Sequence, residues 1–275
     1  KITTEAFSNI FNLNNFLDVN NLAPLLTVAG TIFAYFSILI ISFGDFSRYV
    51  KNEQELKKGN LSLILNLIIF SFLSVFIVIG SDVFLNQKFS DIDRIFTNPT
   101  DIVGKFDNIQ ITIVVLFFII IASASTNLVA NFIPSQYSLI NFAPSILSLK
   151  SASYLIAFFG LLIAIFWLTI LSQIGILSFV DTFGAFFGPL FGVMAADYYL
   201  IKNQELSNKD LYSIDKESAY YYSGGWHIKG VYSLILGFIF SASTIWNTNL
   251  MFLQSYAWII GAFVAWITYY LLAKK

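Results

Sequence analysis

The chain has 275 residues, of which 57% are hydrophobic and 18% aromatic, while only 11% are charged. A soluble domain carries roughly 25% charged residues, so this composition excludes an ordinary soluble domain and predicts a polytopic helical membrane protein. A net charge of -1 gives no basic surface for nucleic acid, and without cysteine and with one histidine there are no disulfides, thiolate sites or usual zinc ligand sets.

Lys1 opens the chain and no cleavable signal pattern precedes the first apolar run, so the sequence reads as part of a longer protein. Residues 1–21 are polar with spaced aromatics and predict an extracellular loop with a short interfacial helix. Residues 22–275 read as one transmembrane domain, because a spanning helix needs roughly 20 apolar residues and about seven such runs follow. The first span, 22–50, begins at Pro24, which a first helical turn tolerates, and closes on Gly44-Asp-Phe-Ser-Arg-Tyr49. A basic patch of Arg48, Lys51, Lys57 and Lys58 precedes the second span, 61–84. A polar excursion over 85–108 leads to the third, 109–133, which Pro134 can kink and prolong. Residues 132–150 hold two prolines and read as a bent connection to the fourth span, 152–171. A tight turn near Gln173 opens the fifth, 175–201, interrupted by Gly184, Gly188-Pro189 and Gly192. A polar loop then carries Lys202, Lys209, Lys216 and Tyr220-Tyr-Tyr-Ser-Gly-Gly-Trp-His227, before the sixth span, 230–246, and the seventh, 253–272.

With an outside start, the inner loops hold 11 of the 15 Lys and Arg residues, and the outer side keeps Lys1, Lys88, Arg94 and Lys105. Cytoplasmic loops carry such an excess. The expectation is a multi-pass protein of the cytoplasmic membrane with its C-terminus inside.

One stretch departs from the apolar pattern. Residues 111–122 are almost wholly apolar, and then Ala122-Ser-Ala-Ser-Thr-Asn-Leu-Val-Ala-Asn131 brings hydroxyls and two asparagines into the same span. Polar side chains in hydrocarbon are costly unless they face a partner or a wet cavity. Residues three and four apart share a helix face, which places Ala122 below Ser125 and Thr126, and Asn127 below Asn131. Two hydroxyls one turn from a small residue can present oxygens and a backbone carbonyl to a hard cation such as Na+. Asn131 offers both a donor and an acceptor, which suits an imide or amide substrate. Ser, Thr, Ala and Asn also pack membrane helices together, so a site and a helix contact both fit this spacing.

In the first span Phe36, beside Tyr35, can stack on a planar ring, although among 30 phenylalanines packing is the ordinary role. Asp45 and Arg48 lie three apart at the inner helix end and form a candidate pair, an inner gate or anchor. The Gly188-Pro189 step removes a helix hydrogen bond and permits a bend or hinge. Asp197 reads as a cap or pairing residue and His227 as a solvated loop residue. No Gly-rich phosphate cradle, Ser/His/Asp set or paired intramembrane carboxylates occur, so no enzyme is expected.

These separated motifs resemble the nucleobase:cation symporter-1 family, whose members include hydantoin, allantoin, uracil, cytosine and purine permeases. Gly44 to Tyr49 with its basic loop resembles the end of the family's sixth helix. Ala122 to Asn131, continuing through Phe132-Ile-Pro-Ser-Gln-Tyr137 to Asn141-Phe-Ala-Pro144, resembles the eighth helix and its loop. Gly188-Pro-Leu-Phe-Gly-Val-Met-Ala-Ala-Asp-Tyr-Tyr199 resembles the tenth, and Asp210-Leu-Tyr212 with Tyr220 to Trp226 the loop after it.

The resemblance implies an all-α, five-plus-five inverted-repeat (LeuT-like) transporter with two extra helices, of which this chain carries helices six to twelve. Its site would lie near the midplane beside discontinuous helices. The resemblance implies that the Ala122 carbonyl and the Ser125 and Thr126 hydroxyls bind Na+, and that Asn131 hydrogen-bonds the substrate. Phe36 falls where a relative stacks a tryptophan on the substrate ring; it keeps the π face and loses the indole N–H. Implied too are no cofactor, a coupling Na+ with H+ as the alternative, a heterocyclic substrate, and the missing N-terminal helices of the same protein in a monomer. Secondary-active cation-coupled symport of a nucleobase or related heterocycle is then expected. Another inverted-repeat carrier, for amino acids or amines, and a non-transporting structural fragment are the alternatives.

Overall fold

The computed structural model describes residues 19–88, 98–105, 108–167, 176–211, 213 and 215–274. The expected segment at 1–18, the turn near Gln173 and Tyr212 lie outside the described residues. Among the described residues seven helices are long and apolar enough to cross a membrane, and the protein is an all-α polytopic one. In chain order the helical elements begin with α1 (Val19–Ile41), α2 (Phe43–Ser47), α3 (Glu53–Lys88), α4 (Pro99–Val103) and α5 (Ile109–Asn127). A π-turn (Leu128–Phe132) joins α5 to α6 (Ile133–Phe142), and α7 (Leu149–Phe166) and α8 (Ile176–Ala196) follow. A second π-turn (Asp197–Ile201) ends α8; then come α9 (Asn208–Leu211), α10 (Ile228–Trp246), a 3-10 segment (Thr248–Tyr256) and α11 (Ala257–Ala273). The described residues divide into two compact units, 44–158 and 19–43 with 159–274.

In the first unit, helix starts follow from capping side chains. Asn52 Oδ1 accepts from Glu55 N at 2.9 Å, and Asn108 Oδ1 accepts from Gln110 N and Ile111 N at 3.1 Å each. Such a side chain satisfies amides that a helix start leaves without partners. The Asn52 cap and the acidic first turn of Glu53 and Glu55 start α3 well before the expected residue 61. Lys57 and Lys58 therefore lie on the helix, paired with Glu53 at 2.7 Å and Glu55 at 3.0 Å. Deeper in α3, Asn66 Nδ2 donates to the Ser62 carbonyl at 2.8 Å and Ser71 Oγ to the Leu67 carbonyl at 2.7 Å. Polar atoms in an apolar span are satisfied by the helix itself.

The bent connection expected over 132–150 is instead helical to Phe142, with the irregular part confined to 143–148. Proline has no N–H to give to the preceding turn. A widened π-turn just before Pro134 takes up that loss, and Ile133 N–H bonds back to the Leu128 carbonyl five residues earlier. Gln136 Nε2 then ties α6 to α7, donating to the Leu149 carbonyl at 3.0 Å and to Ser153 Oγ at 2.6 Å.

The second unit packs α8 against α1, α10 and α11, and α10 against α11. Small residues let these backbones approach, as membrane interfaces require. Gly184, Gly188 and Gly192 recur every fourth residue along α8. A Cβ on Gly188 would fall 2.3 Å from the Trp258 carbonyl oxygen, and one on Gly192 2.1 Å from that of Ala262. The Gly188-Pro189 step thus lies inside a continuous helix as a packing surface, with Gly237 and Gly261 closing on the Pro189 ring. Trp258 fills the space beside Ala34 and stacks on Phe33 with centroids 5.6 Å apart. Tyr269, Ser233 and Ser241 are fully buried in this unit.

Candidate functional site

The polar stretch of the first unit is built on the α5–π-turn junction. Ile109 to Ile121 supply the apolar helix, and small side chains from Ala122 onward leave its backbone accessible. Ser125 Oγ donates to the Ala122 carbonyl at 3.0 Å, which brings two of the expected cation oxygens together. Thr126 follows on the same turn. Asn127 Nδ2 donates to the Ser123 carbonyl at 2.9 Å, and Asn131 Nδ2 donates to Asn127 Oδ1 at 2.6 Å. All these side chains are exposed, with Asn131 inside the π-turn. Single π-turns within α-helices recur at functional sites. The chemistry is that of neutral oxygens and amides: it can solvate a hard cation and hydrogen-bond a polar ligand, and it carries no acid or base.

Phe36 belongs to the second unit, half-buried, with the Tyr35 ring edge-on at 5.2 Å. The first unit thus carries Ala122, Ser125, Thr126 and Asn131 along one helical segment, with Ser125 bonded back to Ala122 and Asn131 bonded back to Asn127. Asp45 and Arg48 lie at and just after α2, and among the described residues no ion pair joins these two. The Arg48 guanidinium lies instead over the Tyr137 ring, 4.4 Å from its centroid. Tyr49 and Tyr137 hydrogen-bond through their hydroxyls, and that bond is the main cause holding the Tyr49 phenol above its usual range. The loop after α2 is therefore anchored on α6 by an aromatic pair and a cation–π contact.

Two clusters in the second unit carry polar residues with other roles. Tyr269 donates to Asp197 Oδ1 at 2.6 Å, and its oxygen lies 3.3 Å from His227 Nε2. His227 stacks face to face on Tyr222, with centroids 3.9 Å apart, and precedes the first residue of α10. It is half-buried and engaged, not a merely solvated loop residue. Burial pushes its pKa below the usual histidine range, with Asp197 opposing and Lys202 and Lys229 adding to the shift. The turn that delivers it, Tyr222 to Trp226, needs Gly224 and Gly225 at φ 62° and 87°, left-handed values that glycine adopts without strain. A cavity of about 210 Å³ opens beside Lys202, Tyr222, His227 and Tyr269.

The other cluster is Asp181, only 5% exposed near the start of α8, whose Oδ2 accepts from Gln254 Nε2 at 3.0 Å. Sequence reading passed over it. Asp181 is the sole charged residue between Gly175 and Ala196, and that isolation was the available signal.

Comparisons with known proteins bear on this chemistry. A family model for permeases for cytosine/purines, uracil, thiamine and allantoin matches residues 3–270. The chain is 28% identical over 244 residues to an allantoin permease of Bacillus subtilis (strain 168), covering 88% of this chain and 48% of that protein. It is 25% identical to a purine-uracil permease of Arabidopsis thaliana, covering 88% of this chain and 41% of the relative. A putative allantoin permease of Escherichia coli (strain K12) is 26% identical, with 91% and 50% covered. The chain spans about half the length of these relatives. No solved structure matches it.

Proposed function

The chain belongs to the family of permeases for cytosine/purines, uracil, thiamine and allantoin, and on that premise we propose that it forms part of a secondary-active, cation-coupled symporter for a nucleobase or related heterocycle such as allantoin. The family is one of membrane transporters, not of enzymes. The observation that carries the site is the polar stretch Ala122 to Asn131, exposed within an otherwise apolar span. Such a cluster is tolerated where it faces a partner or a wet cavity. On this reading Na+ takes the Ala122 carbonyl and the Ser125 and Thr126 hydroxyls. The Ser125 hydrogen turns away from Ala122, and both oxygens turn to the ion. Phe36 stacks on the substrate ring and Asn131 hydrogen-bonds its polar edge. The remaining ligands come from the rest of the transporter, in an inverted-repeat arrangement with the C-terminus of this chain in the cytoplasm.

Cation binding drives transport only if the ion favours one conformational state over the other. Uptake of labelled uracil and allantoin by the full-length protein tests the reading. Asn131→Ala is expected to lower uptake by about tenfold or more, the scale of one lost hydrogen bond in a site, while leaving the protein folded and in the membrane. Loss of assembly with Asn131→Ala would assign the residue to helix packing instead.

A further inference from the structure

Two hydrogen bonds fix which way round the asparagine amides of the polar stretch stand. Asn127 Nδ2 lies 2.9 Å from the Ser123 carbonyl oxygen. A backbone carbonyl only accepts, so the group facing it is the NH2, and Asn127 Oδ1 is turned the other way. Asn131 Nδ2 lies 2.6 Å from that Oδ1. This oxygen again only accepts, so Asn131 is held by its NH2 and its own Oδ1 is the end left open. Turning the Asn131 amide over would set two oxygens against each other at that distance. The direction is therefore set by the backbone of Ser123 and passed through Asn127.

We propose that Asn127 is a positioning residue that holds Asn131 by its NH2 group, making Asn131 Oδ1 an acceptor that selects heterocycles bearing an unsubstituted imide or ureide N–H. This rests on the proposed reading of Asn131 as a ligand contact. A ring nitrogen that is methylated, or that presents a lone pair, meets the Asn131 oxygen without a donor. A site built to hydrogen-bond a ligand group rejects the analogue lacking it far more strongly than an apolar pocket rejects a change of size.

The test uses the full-length protein with Na+ present, uracil as the probe, and uracils methylated at one or the other ring nitrogen as competitors. The wild type is expected to lose about tenfold or more in affinity when the N–H facing Asn131 is methylated, the scale of one hydrogen bond. Asn127→Leu is expected to weaken uracil binding about tenfold and to shrink that discrimination to about threefold or less. Asn127→Asp still accepts from Asn131 Nδ2, so it keeps the discrimination although it cannot donate to Ser123. A purely structural Asn127 would change thermal stability and leave the ratio of affinities alone. Unchanged discrimination in a folded Asn127→Leu overturns the proposal and spares the reading of Asn131 if Asn131→Ala still weakens binding by about tenfold or more. If Asn127→Leu does not fold, the smaller Asn127→Ala, which also removes the acceptor for Asn131 Nδ2, decides: lost discrimination supports the proposal and kept discrimination overturns it. A wild type that binds neither uracil nor allantoin overturns both.

Discussion

Tyr269 donates its hydroxyl hydrogen to Asp197 Oδ1 across 2.6 Å, joining the last turns of α11 to the π-turn that ends α8. Tyr269 is only 1% exposed, so no bulk water replaces the bond once it is lost. A hydrogen bond to a charged group contributes about 1.5–3 kcal/mol. Tyr269→Phe is expected to destabilise the protein by about that amount, read as a lower Tm in detergent. In the Asp197→Asn background the same substitution is expected to cost less, because the charge that strengthens the bond is gone.

His227 leans on the same pair. Its folded pKa lies below the usual histidine value, chiefly through burial. Between that lowered value and the unfolded value of about 6.5 the unfolded chain binds more protons, so stability rises with pH. The contribution is fully present above about pH 6.5 and is lost as pH falls through the folded value. His227→Phe keeps a ring against Tyr222 and removes the titration. The drop in Tm from pH 7.5 to pH 5 is expected to be smaller in that variant; an identical drop would show that His227 does not titrate in this window.

Close approach along α8 gives a contrast between glycines. Gly188→Ala places a Cβ 2.3 Å from backbone oxygen of Trp258, where no rotamer change relieves the clash. Overpacking of this kind costs about 1–3 kcal/mol. Gly160 lies on α7 with nothing within 4 Å of a Cβ, so Gly160→Ala is expected to be neutral or to stabilise by about 0.5–1 kcal/mol. Thermal denaturation of the two variants side by side separates packing from backbone propensity.

Gln254 donates a hydrogen bond to the Asp181 carboxylate, which is 5% exposed. Removing one partner leaves a buried polar group unsatisfied at about 1–3 kcal/mol, whereas replacing both by apolar groups can be nearly neutral. Gln254→Met alone is therefore expected to lower Tm more than the double variant with Asp181→Leu. The reverse order would mean that Asp181 has another essential partner.

Much of the architecture was legible in the sequence because a bilayer sets the length of each element and only helices satisfy the backbone there. The seven apolar runs correspond to seven membrane-length helices among the described residues. Boundaries moved where capping decided them: Asn52 starts α3 early, and the π-turn before Pro134 carries the helix on to Phe142. The polar stretch was visible as residue types at helical spacing. Its internal hydrogen bonds were not, since an amide's direction depends on the carbonyl it happens to face. Arg48 shows the limit of pairing by charge. An acidic residue three positions away reads as its partner, but the loop turns the guanidinium onto Tyr137, which no local pattern announces. His227 was misread as solvated because its partners, Asp197 and Tyr269, lie 30 and 42 residues away in sequence.

The cation site proposed at Ala122, Ser125 and Thr126 is tested most directly by sodium dependence. Uptake of uracil or allantoin by the full-length protein would be measured in Na+ and in choline medium at matched pH, for the wild type and for Ser125→Ala with Thr126→Ala. Na+ is expected to stimulate wild-type uptake, and the double variant is expected to keep its fold but to need at least about tenfold more Na+ for the same stimulation, the scale of losing charge-assisted oxygen contacts. Sodium dependence that is identical in the double variant, or a wild type driven by pH alone, would contradict the proposed site.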